Sequence, residues 1–343
     1  MSKVLLGMSG GVDSTYAARC LMEAGYTVEG AVLRMHPFTE IEEAQSSADF
    51  LGIPLHVIDA EELFSNTVIR DFCEAYQKGR TPNPCIVCNE NVKFRLLYEE
   101  AMKRGFDLIA TGHYAKIERI DGRYAVRMGS DRSKDQSYML YRLPQQILER
   151  LIFPIGTLVK KEIKKTAAEE GIEAAYREES QEICFVKNES YAEYIERACG
   201  KAREGDFVDE KGSVLGRHKG IVHYTVGQRK GLGVSAPSRL FVQKIDVDEN
   251  KITLSDTPRK AKAFRTSGVV FSGLSREEAL KRTDLTVQVR YQSRMHKAVV
   301  REAENEDLVA EIAEEAIAVT PGQSAVFYLD DVVAFGGFIE EML

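Results

Sequence analysis

The 343-residue sequence contains no apolar run that approaches a membrane span, and its N-terminus has no signal-peptide pattern. It is therefore expected to be a cytoplasmic chain with no membrane partner. Cysteine is sparse. Six residues (Cys20, Cys73, Cys85, Cys88, Cys184 and Cys199) cannot form a disulfide scaffold at this size. In a reducing compartment they are free, metal-bound or catalytic. Internal repeats and low-complexity segments are absent. Charge of one sign is missing from two stretches. Lys211–Ile245 has seven Lys or Arg and no acid, whereas Glu302–Leu343 has eleven acids and no Lys or Arg. The net charge of −7 argues against indiscriminate polyanion binding. The basic segment points to a localised polyanion site, or else to a solvated basic face.

What is present begins at Gly7-Met8-Ser9-Gly10-Gly11-Val12-Asp13-Ser14. An apolar run, Val4-Leu5-Leu6, precedes it and a helical pattern follows. Glycines let the backbone approach a ligand, and the free N–H groups of a first helical turn bind anions. A Walker loop needs a Lys after its last Gly, and here there is none. Asp13 beside a phosphate demands a cation, which suggests a nucleoside triphosphate with Mg²⁺. The bland alternative is a Ser/Gly turn with a helix-capping Asp. S-G-G-x-D-S resembles the PP-loop of ATP pyrophosphatases, which cleave ATP between its α and β phosphates.

The first half alternates predicted strands (Val4–Met8, Thr27–Leu33, Leu55–Ile58, Leu108–Thr111) with predicted helices (through Glu23, Glu40–Leu51, Glu61–Gln77, Val92–Lys103). This order implies a parallel sheet with ligands at the C-terminal strand ends, where Gly7–Ser14 and Thr111-Gly112-His113 fall. Asp121-Gly122 predicts a hairpin. Helices are expected at Gln145–Leu151, Lys160–Glu170 and Tyr191–Ala198. After about Gly200 the texture becomes all-β, with strands at Leu240–Val247, Lys251–Leu254, Leu285–Tyr291 and Ala325–Leu329. The expected fold is an α/β parallel-sheet PP-loop domain (residues 1–203) followed by two small β-rich domains (204–265 and 266–343).

Two cysteine segments carry chemistry. In Gly79-Arg80-Thr81-Pro82-Asn83-Pro84-Cys85-Ile86-Val87-Cys88-Asn89, prolines stiffen the approach to a cysteine pair. If Asn89 caps the next helix, Cys88 gains thiolate character from the helix dipole. Taken alone, Cys-x-x-Cys fits a nucleophile, a redox pair, a metal half-site or helix-start packing. The second segment is Ser180-Gln181-Glu182-Ile183-Cys184-Phe185, where a lone Cys between apolar neighbours is commonly core.

Together with ATGHY, KDQSY, HYTVGQRKGLG and TPGQSAVFY, these motifs resemble, in order and over essentially the whole chain, tRNA-specific 2-thiouridylases of the MnmA/TrmU type. The resemblance implies that ATP and Mg²⁺ bind at Gly7, Met8, Ser9, Gly10, Gly11, Val12, Asp13 and Ser14, with Leu33 and Gly112 around the adenosine. It implies adenylation of O2 of the uracil at the first anticodon position. Cys184 would carry a persulfide supplied by a cysteine desulfurase or a relay protein. Cys88 would be the nucleophile that releases the sulfur, leaving a Cys88–Cys184 disulfide. Asn83, Pro84 and Cys85 would meet the target base. His113, Lys134, Asp135, Gln136, Arg290, Tyr291 and Gln323 would position the tRNA, and Arg217–Gly233 would contact its backbone.

Two departures stand out. Many members of the family carry Asp where this chain has Cys85. Cys85, Cys88 and Cys184 then make a three-thiolate set, an alternative site for an iron–sulfur cluster holding sulfide at its open iron. The stretch Met35–Thr39 is also shorter than in many relatives, which implies a more open pocket or a different donor surface. The rival readings are an ammonia-using PP-loop amidotransferase and a non-catalytic RNA-binding protein. The first has no use for paired cysteines, and the intact phosphate loop opposes the second.

Overall fold

The computed structural model describes residues 1–177, 183–317 and 319–343. The Ser180-Gln181-Glu182 part of the second cysteine segment lies outside the described residues. Strands β1 (Lys3–Gly7), β2 (Thr27–Arg34), β3 (Leu55–Asp59) and β4 (Leu108–Thr111) alternate with helices, as their patterning predicts. A hairpin follows, β5 (Ala115–Ile120) and β6 (Arg123–Met128), then the short β7 (Leu151–Ile152). The first sheet is wholly parallel, in the order β3-β2-β1-β4-β7. Val4, Leu5 and Leu6 are fully buried because helices cover both faces. Leu151, expected to end a helix, instead pairs with Ile109. The helix stops at Leu148.

The second sheet has the order β10-β11-β8-β9, built from β8 (Gly205–Val208), β9 (Val214–His218), β10 (Phe241–Asp246) and β11 (Lys251–Ser255). The third comprises β12 (Lys260–Phe271), β13 (Leu285–Gln288), β14 (His296–Glu302), β15 (Leu308–Ile317), β16 (Ser324–Leu329) and β17 (Val332–Met342). Its order runs β12-β15-β14-β13-β16-β17, and a β12–β17 pairing closes it into a barrel. Phe327 and Phe335 stack inside at 4.4 Å.

The β5–β6 hairpin belongs to this third sheet, which sequence periodicity does not reveal. Arg127 pairs with Val332 across β6 and β17, and its side chain meets Asp331 at 2.7 Å. Tyr138 and Tyr141 share one apolar core with Val326, Tyr328 and Val333. The first and third units are therefore joined by a common core as well as by chain connectivity.

No helix among the described residues is long and apolar enough to cross a membrane.

Candidate active site

The glycine–serine loop leaves β1 at Gly7 and enters the helix Val12–Glu23. It is internally tied. The Ser9 N–H donates to Ser14 Oγ at 3.2 Å, and Ser14 Oγ donates to the Gly11 carbonyl at 3.0 Å. Asp13, in the first helical turn, has both oxygens engaged. The Tyr114 hydroxyl donates to Oδ1 at 2.6 Å, and Lys160 Nζ donates to Oδ2 at 2.6 Å. Lys160 opens the helix Lys160–Glu169 and is only 6% exposed. The Arg177 guanidinium donates to the Gly10 carbonyl at 3.2 Å. Gly112, after β4, lies against the loop's helix. A Cβ there would sit 2.8 Å from the Asp13 carbonyl carbon and 2.9 Å from the Ser14 nitrogen. Leu33 is buried at the end of β2, in the cluster that contains Phe64 and Cys88.

The thiols sit at the same edge of the sheet. A single helix runs over residues 84–104, with a π turn at Asn89–Lys93. Its N-cap is Asn83, whose side chain accepts the Cys85 N–H at 3.1 Å. This corrects the expectation that Asn89 caps. Asn89 lies within the helix, where its amide donates to the Met139 carbonyl at 2.9 Å. Cys85 therefore occupies the first turn, and Cys88 lies more than a turn inside. Cys88 is buried and its Sγ is 3.7 Å from Met35 Sδ, just past β2. Burial pushes the Cys88 thiol up to about 12, against the pull of Lys93, with Cys85 and Cys184 adding to the rise. The resting protein thus holds Cys88 as a thiol, and the dipole-activated thiolate expected from sequence is not its resting state.

Cys85 and Cys184 are exposed to solvent. Burial raises each thiol and the Lys93 charge opposes it, while Cys85 also raises Cys184. All three thiols therefore lie within electrostatic reach of one another, around Lys93. Cys184 is not core; its neighbour Phe185 is, between Phe64 and Phe72. All six cysteines are free. Among the described residues no group of three or more His, Cys, Asp or Glu is arranged to hold a metal ion.

His113 accepts or donates at 2.8 Å to Thr111 and packs between Phe94 and Phe153. Burial, helped by Lys93, holds its imidazole well below its ordinary value, so it is neutral. Asp135 accepts from the Gly129 N–H and from Ser137 Oγ, both at 2.7 Å; burial raises its carboxyl and those bonds oppose the rise. Gln136 accepts the Tyr114 N–H at 3.0 Å. Tyr291 of the barrel packs against Tyr138, with ring centroids 6.0 Å apart; burial raises its hydroxyl, Asp135 adds to the rise and Lys134 opposes it. Arg290 is exposed within reach of Tyr76 and Tyr138.

The loop over 79–84 meets the barrel and the second β unit. Gln323 donates to the Thr81 carbonyl at 2.8 Å, and the Thr81 N–H donates to the Pro321 carbonyl at 2.9 Å. Arg80 pairs with Glu340 at 2.5 Å, and Thr81 Oγ1 meets Thr225 Oγ1 at 3.2 Å. Gln323 therefore supports the loop that carries Asn83, Pro84 and Cys85. The sequence reading missed Lys93, Tyr114, Lys160 and Arg177. Lys160 sits in Lys-Lys-Glu-Ile-Lys-Lys, which reads as a solvated helix face. The one available signal was the demand of Asp13 for a cation.

A parallel sheet with a glycine–serine loop after its first strand, and thiols gathered at the same edge, defines a PP-loop α/β protein with a cysteine centre. Family models cover nearly the whole chain: a tRNA methyl transferase HUP domain over residues 2–188, a tRNA methyl transferase PRC-barrel domain over 192–256, and an aminomethyltransferase β-barrel domain over 263–339. Curated relatives include tRNA-specific 2-thiouridylase MnmA of Acetivibrio thermocellus (40% identical, covering 98% of this chain and 99% of the relative). Another is tRNA-specific 2-thiouridylase MnmA of Treponema denticola (40% identical, covering 99% and 98%). Among solved structures, a 4-thiouridine synthetase–RNA complex with bound ATP is similar at 20% identity, over 57% of this chain and 50% of that one, with a TM-score of 0.39. The chain belongs to the tRNA-specific 2-thiouridylase (MnmA) family.

Proposed function

We propose that this protein is an ATP-dependent tRNA-uridine 2-sulfurtransferase acting on the wobble uridine. The observation that carries the reading is that Cys88 and Phe185, the neighbour of Cys184, share one buried cluster with Leu33 at the end of β2, on the side of the sheet that bears the Asp13 loop. Residues 1–203 hold ATP and the thiols, while 204–265 and 266–343 grip RNA. ATP lies on Gly7–Ser14 with Leu33 and Gly112 beside the adenosine. Asp13 is the carboxylate that would help hold Mg²⁺, whose charge offsets that of the phosphates; the other ligands come from ATP and water. The cytoplasm, where tRNA is modified, is the proposed location.

The uracil O2 attacks the α-phosphorus and pyrophosphate leaves. The terminal sulfur of a Cys184 persulfide, charged by a cysteine desulfurase or relay, attacks C2, and AMP leaves with O2. Cys88, once deprotonated, attacks the inner sulfur of Cys184. The C2–sulfur bond stays with the base, and a Cys88–Cys184 disulfide remains for a dithiol to reduce. The buried Cys88 thiol implies that the proton leaves only after substrate has reshaped its surroundings. Asn83, Pro84 and Cys85 face the base. His113, Lys134, Asp135, Gln136, Arg290, Tyr291 and Gln323 set the RNA or the loops it touches, since single-stranded bases are read by stacking and edge hydrogen bonds.

Incubation of unmodified tRNA with the protein, ATP, Mg²⁺, a cysteine desulfurase with cysteine as persulfide source and a dithiol reductant, followed by nucleoside mass spectrometry, tests the reading. The expected product is 2-thiouridine; its absence, or 4-thiouridine in its place, refutes the proposal. A second reading draws on the third thiol, Cys85: sulfide held on an iron–sulfur cluster at Cys85, Cys88 and Cys184. The donors are right in kind but are not gathered as a ligand group. Iron and labile sulfide in anaerobically prepared protein decide between the two, and iron-free protein that still thiolates removes the cluster.

A further inference from the structure

The short turn that follows β2 is packed onto the proposed nucleophile. Thr39 Oγ1 accepts the N–H groups of Met35 and His36 at 3.2 and 3.3 Å, and the Thr39 N–H donates to the His36 carbonyl at 3.0 Å. The His36 imidazole is only 8% exposed and meets Phe64 edge-on, with ring centroids 5.8 Å apart. These contacts fix Met35, whose Sδ accepts the Cys88 S–H at 3.7 Å. A thioether is a weak acceptor, so the contact acts mainly by occupying one side of the Cys88 sulfur and keeping water from it. Cys184 is placed differently. The Val186 N–H closes a turn onto the Ile183 carbonyl at 3.0 Å, and Cys184 lies exposed within that turn while Phe185 is buried. We propose that Met35 is a positioning residue that covers Cys88, so that a persulfide on Cys184 is not discharged before the tRNA is in place.

The two-thiol chemistry creates the need. When Cys88 attacks the inner sulfur of the Cys184 persulfide, a Cys88–Cys184 bond forms and the bond to the terminal sulfur breaks. With the sulfur already on C2 of the base, it stays there. Without tRNA the terminal sulfur leaves with the bonding pair as hydrosulfide, and the Cys88 proton passes to water. The same bonds are exchanged, no further oxidant is needed, and the sulfur is lost. The nucleophile must therefore stay inert while it waits, and only a thiolate attacks. Methionine suits a removable cover. It is unbranched and flexible, so it can swing aside without moving the backbone. Met35 also lies two residues from Leu33, so substrate bound at the end of β2 has a short path to it.

The inference rests on Cys184 as sulfur carrier and Cys88 as nucleophile, and the test keeps the two apart. The full chain is loaded by a cysteine desulfurase with cysteine, freed of the donor, and left without tRNA or reductant while hydrosulfide release is followed. Met35→Ala should release it about tenfold faster than wild type, the gain in thiolate for each pH unit by which access of water lowers the Cys88 pKa. Cys88→Ser added to Met35→Ala should restore retention. Met35→Leu, of similar volume, should stay within about threefold of wild type. Iodoacetamide labelling read by peptide mass spectrometry gives the control: Cys88 should react faster in Met35→Ala, and Cys73, buried in the same cluster, should not. Release from Met35→Ala at the wild-type rate, or equal acceleration of Cys73, overturns the proposal; the second result would mean that Met35 only holds the cluster together. If Met35→Ala does not fold, Met35→Val, a strand former too short to replace the thioether, repeats the measurement. Wild-type protein that takes up no sulfur at Cys184 refutes the persulfide reading itself.

Discussion

The phosphate loop and the thiol loop sit at one edge of one sheet but are built in opposite ways. Gly7–Ser14 is held from within the first unit: by Ser9 to Ser14, Ser14 to Gly11 and Thr15 to Gly11 in the turn, and by Tyr114 and Lys160 on Asp13 and Arg177 on Gly10. The 79–84 loop has short-range ties too, from the Gly79 and Arg80 N–H groups to the Tyr76 and Ala75 carbonyls, but it also reaches the other units. It is held by Gln323, Pro321 and Glu340 from the barrel and by Thr225 from the second β unit. A loop held within its own unit keeps its shape whatever the other units do. A loop bound to two β units reports their position, so RNA held by those units, as proposed, would be mechanically connected to Cys85 and Cys88.

This contrast can be broken by mutation, and the largest effect is chemical. Cys88→Ser and Cys184→Ser should each lower 2-thiouridine formation by at least about a thousandfold, since removal of a nucleophile abolishes its step. Full activity in either variant removes that residue from the mechanism. Asp13→Ala should lower tRNA-dependent AMP release by about a hundredfold or more while gel-shift affinity for tRNA persists. Loss of both would mean that the two loops are not separable.

Gly322→Ala attacks the long-range support. Gly322 has φ +91°, and a Cβ there would meet the Thr81 nitrogen at 2.8 Å. The strain should cost about 1–3 kcal/mol in denaturant unfolding and depress thiolation, with ATP affinity intact. An equal loss of ATP affinity would show that the loops are coupled. Gln323→Ala removes one hydrogen bond to Thr81 and should cost about 1 kcal/mol, seen as a several-fold rise in KM for tRNA.

The smallest effect is in pH. Because burial raises the Cys88 thiol to about 12, its proton stays bound through neutral pH in the absence of tRNA. Alkylation of Cys88 by iodoacetamide should therefore be slow at pH 7 and still rising at pH 10. A plateau below pH 8 would mean a resting thiolate.

The same contrast explains what was legible in the sequence. Local signals were readable: the glycine–serine turn, the alternation of β1–β4 with helices, and the hairpin at Asp121-Gly122. Features set by tertiary contact were not. Nothing in Arg123–Met128 says that it pairs with a strand two hundred residues on. The sequence also could not show that Asn83, rather than Asn89, begins the helix, and the error misplaced Cys88 relative to the dipole. Lys160 and Lys93 were hidden for a simpler reason: lysines at helical spacing look like a solvated face until the fold turns them inward.

The central claim is that ATP activates the oxygen that sulfur replaces. The direct test uses tRNA transcribed with ¹⁸O at uracil O2, thiolated by the protein with ATP, and mass spectrometry of the AMP released. The account predicts one ¹⁸O in the AMP phosphate for each 2-thiouridine formed. Unlabelled AMP alongside 2-thiouridine would contradict it.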